Sequence, residues 1–139
     1  MTAQPVVLPM RSVLVAPNVP ASVRLARETA ELTYAGWRIS LGHPVLGPAL
    51  LVLSELVTNS VQHAAECSPQ ITVTYAAGAD VLAFAVHDRD PYAPDPLSFP
   101  QSPGGLATVA ELTAEWGGTW TVRPDADGGG KSVWITLPL

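Results

Sequence analysis

A two-layer α/β (α+β) sandwich, with a mixed, mostly antiparallel sheet carrying helices on one face, is the fold class this sequence predicts. Three observations lead to it. Segments of period two and of period 3.6 follow one another in the order β-α-α-β-β-α-β-β. After the first strand the strands come in neighbouring pairs joined by short turns, which favours antiparallel pairing. The helices are few, enough for one face of the sheet. A chain of 139 residues, 47% hydrophobic and 14% charged, is long enough for one domain with a real core and too apolar for disorder.

The elements follow in order. Residues 1–10 read as a loose tail, and 11–139 as a single domain opening with a short strand, RSVLVA, Arg11 to Ala16. Pro17 and Pro20 end it. A helix is predicted over Ala21 to Trp37, with Ser22 as N-cap and Val23, Ala26, Ala30, Tyr34 and Trp37 on one broad face. Gly36, Gly42 and Pro44 mark a connection. A second helix runs from about Pro48 to Ala65, its proline tolerated in the first turn, where the missing amide lacks a partner anyway. Ile71, Val73 and Tyr75 alternate with threonines as a half-buried strand, and VLAFAVH, Val81 to His87, is apolar enough for a central one. Residues 91–104, PYAPDPLSFPQSPG, hold five prolines and no periodicity, which marks a functional loop or lid. A third helix, Gly105 to Trp116, is closed by Gly117 and Gly118. Trp120 with Val122, then Val133, Ile135 and Leu137, form a last hairpin about an Asp- and Gly-rich turn.

Composition excludes several functions. A net charge of -5 with six scattered arginines and one lysine argues against a phosphate-backbone binder, so no direct nucleic-acid partner is expected. Cys67 is alone, so there is no intramolecular disulfide framework and a reducing cytoplasm fits. The N-terminus has no export-signal pattern, and the apolar run Val45 to Val57 is too short for a membrane span. No two histidines stand at zinc-ligand spacing, which makes a hydrolase built on His43, His63 and His87 a poor reading.

The chemistry concentrates in four stretches. In LVLSELVTNSVQHAA, Glu55, Asn59 and His63 are four apart and form one row, with Thr58 and Gln62 beside it. Leu50, Leu53, Val57, Val61 and Ala64 should meet the sheet, while Leu51, Val52 and Leu56 flank the row. The same stripe would serve any amphipathic helix. A carboxylate one turn from a carboxamide also pairs a proton acceptor with a hard oxygen ligand suited to Mg²⁺. In VHDRDP, Asp88 ends a buried strand, where it could accept from an exocyclic amine such as adenine N6, or merely make a turn. In SPGGLATV, glycines precede a helix whose positive end suits a phosphate. GGGKSVWITLPL alone shows only a hairpin.

Together, in this order, the four resemble the anti-sigma-factor serine/threonine protein kinases, small regulators of the histidine-kinase-like ATPase (GHKL) superfamily. SELVTNSVQHA is similar to the family's E-x-x-x-N-x-x-x-H box, VHDRDP to its adenine-recognising box, and PGGLATVAELTAEWG to its glycine box. The resemblance implies the Bergerat fold, ATP and Mg²⁺ as cofactors, and a nucleotide held under a lid. It implies that Asn59 binds Mg²⁺, that Glu55 acts as general base toward a substrate serine, and that Asp88 selects adenine. Gly104, Gly105 and Leu106 fall on the phosphate turn, Ser132 on a small hydroxyl position near adenine, and His63 completes the helical box. A sigma factor, an anti-anti-sigma antagonist and a second copy of the chain are the implied partners.

The chain departs from that pattern at Pro103, which stands where the glycine box has its first glycine. Proline supplies no amide donor and a fixed φ. The stretch 91–104 also lacks lysine and arginine. Two functions therefore compete. One is a kinase that sequesters a sigma factor and phosphorylates a serine of its antagonist. The other is a partner-switching binding protein of the same fold with little or no nucleotide turnover.

Overall fold

The computed structural model describes residues 8–139. The expected tail lies mostly in residues 1–7, outside that description. The elements are β1 (Met10–Pro17), α1 (Ala21–Gly36), α2 (Leu46–Ala64), β2 (Gln70–Ala77), β3 (Val81–Asp88), α3 (Gly105–Glu115), β4 (Thr119–Pro124) and β5 (Lys131–Pro138). A 3-10 helical turn, Pro96–Gln101, interrupts the proline-rich stretch. The five strands form one sheet in the order β1-β2-β3-β5-β4, and each pairing is antiparallel. The two-layer class is as the sequence predicts, with the sheet antiparallel throughout.

Alternation sorts the strand residues between the two faces. Ile71, Val73 and Tyr75 are buried toward the helices, while Thr72 and Thr74 are half-buried on the other face. β3 is the middle strand, and Leu82 to Val86 are buried on both of its faces. In register, Tyr75 lies opposite Phe84, and Phe84 opposite Ile135, a continuous apolar band beneath the helices.

Two buried tyrosines fasten α1 to this band. The Tyr34 hydroxyl donates to the Ala83 carbonyl at 2.7 Å, and that of Tyr75 to the Ala26 carbonyl at 2.7 Å. Their rings meet edge to face at 6.0 Å. Burial raises both phenol pKa values far above the ordinary range, so both remain neutral donors. Ser22 is not the N-cap: the cap position is Pro20, and the buried Ser22 hydroxyl donates to the Pro17 carbonyl at 2.6 Å. That bond ties the strand end to the first turn of the helix.

α2 lies between α1 and α3 and contacts both, so its buried arc is wider than one stripe. Val52 and Leu56 are in the core together with Leu53, Val57 and Ala64, whereas Leu50 and Val61 are only partly buried. Val52 and Leu56, expected to flank the polar row, are thus core residues. Burying one such aliphatic side chain contributes about 1.5–3 kcal/mol.

Candidate functional site

The turn of α2 that packs its apolar arc inward leaves Glu55, Thr58 and Asn59 half-buried, with Gln62 and His63 exposed at the end of the row. Across from this row α3 begins. Gly104 has φ 76° and ψ -140°, a backbone conformation that L side chains rarely adopt. Gly105 lies against the tip of Glu55: a Cβ there would stand 2.5 Å from Glu55 Oε2 and would displace that carboxylate. The Glu55 carboxylate thus rests against the first residue of α3, at the positive end of the helix.

Between the row, the loop and the sheet lies a cavity of about 270 Å³, bounded by Asn59, Ser60, His63, Ala64, Asp88, Asp90, Tyr92, Pro94, Ser98, Ser102, Pro103, Leu106 and Lys131. A smaller one of about 50 Å³ adjoins it, lined by Glu55, Thr58, Asn59, Gln62, His63, Pro103, Gly104 and Gly105. Asn59, His63 and Pro103 belong to both. Pro103 therefore stands at the neck between a roomy chamber and a tight one beside the glycines. The loop above is anchored. Phe99 is fully buried, and the Trp120 indole donates to the Pro96 carbonyl at 2.9 Å.

Asp88 lines the large chamber and is 5% exposed. Lys131 Nζ pairs with its Oδ1 at 2.7 Å, and the Asp90 amide donates to the same oxygen at 3.1 Å. The Ser60 hydroxyl donates to Oδ2 at 2.8 Å. Asn18, also buried, donates through Nδ2 to Ser60 Oγ at 3.3 Å and to the Ser68 carbonyl at 3.0 Å. A carboxylate offers about four acceptor positions, so three filled ones leave Asp88 able to take one more donor. Charges this far out of water persist because they are paired, and removing one partner of such a pair generally costs about 3–5 kcal/mol.

Behind Asp88 a charged cluster braces the hairpin turn. His87 Nε2 meets Asp125 at 2.9 Å, and Arg89 bridges Asp125 at 2.8 Å and Asp127 at 3.2 Å. The hydrogen bond from His87, then Arg89, holds Asp125 below the ordinary carboxylate range. Arg89 and the Gly129 amide do the same for Asp127.

The structure brings together Glu55, Asn59, His63, Asp88, Gly104, Gly105 and Leu106 around the two chambers. Ser132 is a correction. It lines neither chamber, because along β5 Lys131, Val133 and Ile135 are buried toward the helices and Ser132 alternates away. The residue that reaches Asp88 is its neighbour Lys131. Sequence reasoning missed Lys131, Ser60 and Asn18. The one signal available for Lys131 was its being the sole lysine of the chain, set in a glycine run at a strand start. His43 and His87 also lie off the site: His43 accepts from the Val45 amide at 3.2 Å, and His87 is held by Asp125.

A polar helix row facing a glycine-led helix, over an antiparallel sheet whose strand end supplies a buried carboxylate, defines an α/β ATPase-type cleft. The family model described as histidine kinase-, DNA gyrase B- and HSP90-like ATPase matches residues 48–139, and the chain belongs to that family. Among solved structures, it is similar to the histidine kinase domain of the blue-light-activated histidine kinase EL346 from Erythrobacter litoralis. Identity there is 26% and the TM-score 0.53, over 68% of this chain and 44% of that one. A structure of the Erythrobacter litoralis EL346 blue-light-activated histidine kinase matches at 25% identity and a TM-score of 0.55, over 68% of this chain and 30% of that one. The chain thus spans less than half of the length of these solved chains. No curated protein sequence matches it. Among the described residues, no helix is long and apolar enough to cross a membrane.

Proposed function

We propose that the chain is an ATP-binding anti-sigma regulator that sequesters a sigma factor and phosphorylates a serine of an anti-anti-sigma antagonist. The observation that carries the ATP part is the row Glu55–Asn59–His63 set against Gly104 and Gly105, with Asp88 on the wall of the adjoining chamber. These residues suit the ligand. Asp88 keeps an acceptor position for a base amine, and Asn59 offers a neutral hard oxygen to Mg²⁺. The amides of Gly105 and Leu106, at the start of α3, suit phosphate oxygens. Glu55 is within the smaller chamber, where it can take the proton of an incoming serine hydroxyl. Bound Mg²⁺ supplies charge neutralisation, which phosphoryl transfer needs more than covalent help. A cytoplasmic homodimer is the form proposed. Calorimetric titration with ATP, with and without Mg²⁺, tests the reading, and absence of Mg²⁺-dependent binding overturns it.

A second reading is a partner-switching binding protein that does not transfer phosphate. Pro103 at the neck and a loop without cations favour it. Incubation with γ-labelled ATP and candidate antagonists separates the two, since only the kinase leaves label on serine.

A further inference from the structure

The smaller chamber contains a hydroxyl of its own. Of the residues around it only Thr58 carries one, and Glu55 stands three residues before it on the same helix. Residues three apart on a helix are neighbours, with Cβ atoms about 5–6 Å apart. Asn59 and the turn of Gly104 and Gly105 belong to the same wall. The serine hydroxyls of the larger chamber are engaged elsewhere. Ser60 donates to Asp88 Oδ2 at 2.8 Å, Ser98 to the Asp95 carbonyl at 2.6 Å and Ser102 to the Ser98 carbonyl at 2.9 Å. On α2 itself Ser54 donates back to the Leu50 carbonyl at 2.8 Å, whereas the half-buried Thr58 hydroxyl has no partner among the described residues.

A free hydroxyl beside a carboxylate base, in a chamber walled by the glycine turn, is placed to accept a phosphoryl group. We infer that the chain phosphorylates itself on Thr58, within one molecule, and that the product closes its own cleft. This rests on the nucleotide reading of the same site. In the step, Thr58 Oγ1 forms a bond to the γ-phosphorus of ATP. The bond from that phosphorus to the β,γ-bridging oxygen breaks, and ADP leaves with the electron pair. The hydroxyl proton passes to the Glu55 carboxylate. A serine of another protein must dock before it reaches Glu55, but Thr58 is held there by α2, so no encounter precedes transfer. The phosphothreonine carries a charge of about -1.5 to -2 at pH 7. It takes the place at the positive end of α3 that a nucleotide phosphate needs, and it repels the phosphates of the next ATP.

The test incubates the wild-type chain with Mg²⁺-ATP and no antagonist, then maps phosphate by fragment mass spectrometry. The expected result is one phosphoryl group on Thr58, gained at a rate per molecule that an about tenfold dilution of the protein leaves unchanged. Thr58→Ser should keep the label, Thr58→Val should lose it, and Glu55→Ala should slow it about 10²–10⁴-fold. Calorimetry adds a readout apart from turnover. Thr58→Glu sets a fixed charge in the chamber and should bind Mg²⁺-ATP at least about tenfold more weakly than Thr58→Gln, its neutral match in size. Equal affinities of that pair overturn the closing of the cleft. Phosphate on another residue, or a rate that falls on dilution, overturns the transfer to Thr58. If Thr58→Val does not fold, the mapped position and the dilution series in wild type decide alone. ATP binding without self-phosphorylation sinks this inference and leaves the proposed function standing, whereas no ATP binding sinks both.

Discussion

At the scale of single residues, the site divides into groups whose loss should touch binding and groups whose loss should touch chemistry. Asn59 is half-buried on the cleft side of α2 and outside the core. Asn59→Ala should therefore weaken Mg²⁺-ATP binding at least about tenfold while changing stability by only about 0.5 kcal/mol, as for substitutions away from packed features. Calorimetry and a denaturant curve check the two halves; unfolding, or unchanged binding, removes Asn59 from the metal role. Glu55→Ala should retain nucleotide and lose about 10²–10⁴-fold in phosphorylation of an antagonist serine. A single-turnover assay reads this, and a wild-type rate excludes Glu55 as the base. Gly105→Ala offers a subtler perturbation. The new Cβ would stand 2.5 Å from Glu55 Oε2, so the carboxylate must move while α3 stays in place.

The loop at 91–104 and the β4–β5 hairpin carry the predictions at the scale of elements. Pro103 is common to both chambers, and it has no amide to offer there. Pro103→Gly should tighten ATP binding about tenfold, the worth of one charge-assisted hydrogen bond, with part of the gain offset by loop entropy. Parallel ADP titrations should show a smaller gain, and equal gains would argue for a general loosening of the loop. In the hairpin, Asp125 and Asp127 have lowered pKa values because of His87 and Arg89. A depressed carboxylate contributes stability that is present above the unfolded value of about 3.9 and lost as pH falls through the folded value. Wild type should therefore exceed Asp125→Asn in melting temperature at pH 7, and the gap should close below about pH 4. A gap that persists in acid would assign the effect to packing.

For the whole molecule, the α1 contacts are the measure of how the layers hold together. Tyr34→Phe removes the bond to the Ala83 carbonyl at the centre of the sheet and should cost about 1 kcal/mol in a denaturant titration. Ligand linkage acts on the fold as one unit. At a nucleotide concentration of about 100 times Kd, stabilisation is about 2.7 kcal/mol, or a rise in Tm of roughly 8 °C for a domain of this size. A thermal scan with and without Mg²⁺-ATP reads that directly. A flat result at saturating nucleotide contradicts binding to the native state.

What the sequence by itself determined was everything written in near neighbours. Alternation at i and i+2 marked β2 and β5, spacing at i and i+4 marked the Glu55–Asn59–His63 row, and glycines marked the start and the end of α3. Those signals are local because rise and twist per residue are nearly constant within an element. The 3-10 turn at Pro96–Gln101 escaped them, being too short to show a period. The tertiary structure decided what depends on how distant segments meet. It buried Val52 and Leu56, since α1 and α3 both pack on that helix. It set Asn18 against Ser60, 42 residues away. It placed Lys131 rather than Ser132 on Asp88, 43 residues distant, through the register that pairs Asp88 with Lys131 across β3 and β5. A shift of that register by one residue would exchange the two side chains between faces of the sheet, because side chains alternate at every step. No local pattern encodes that choice. It follows from burying the apolar faces of β3 and β5 together beneath the helices.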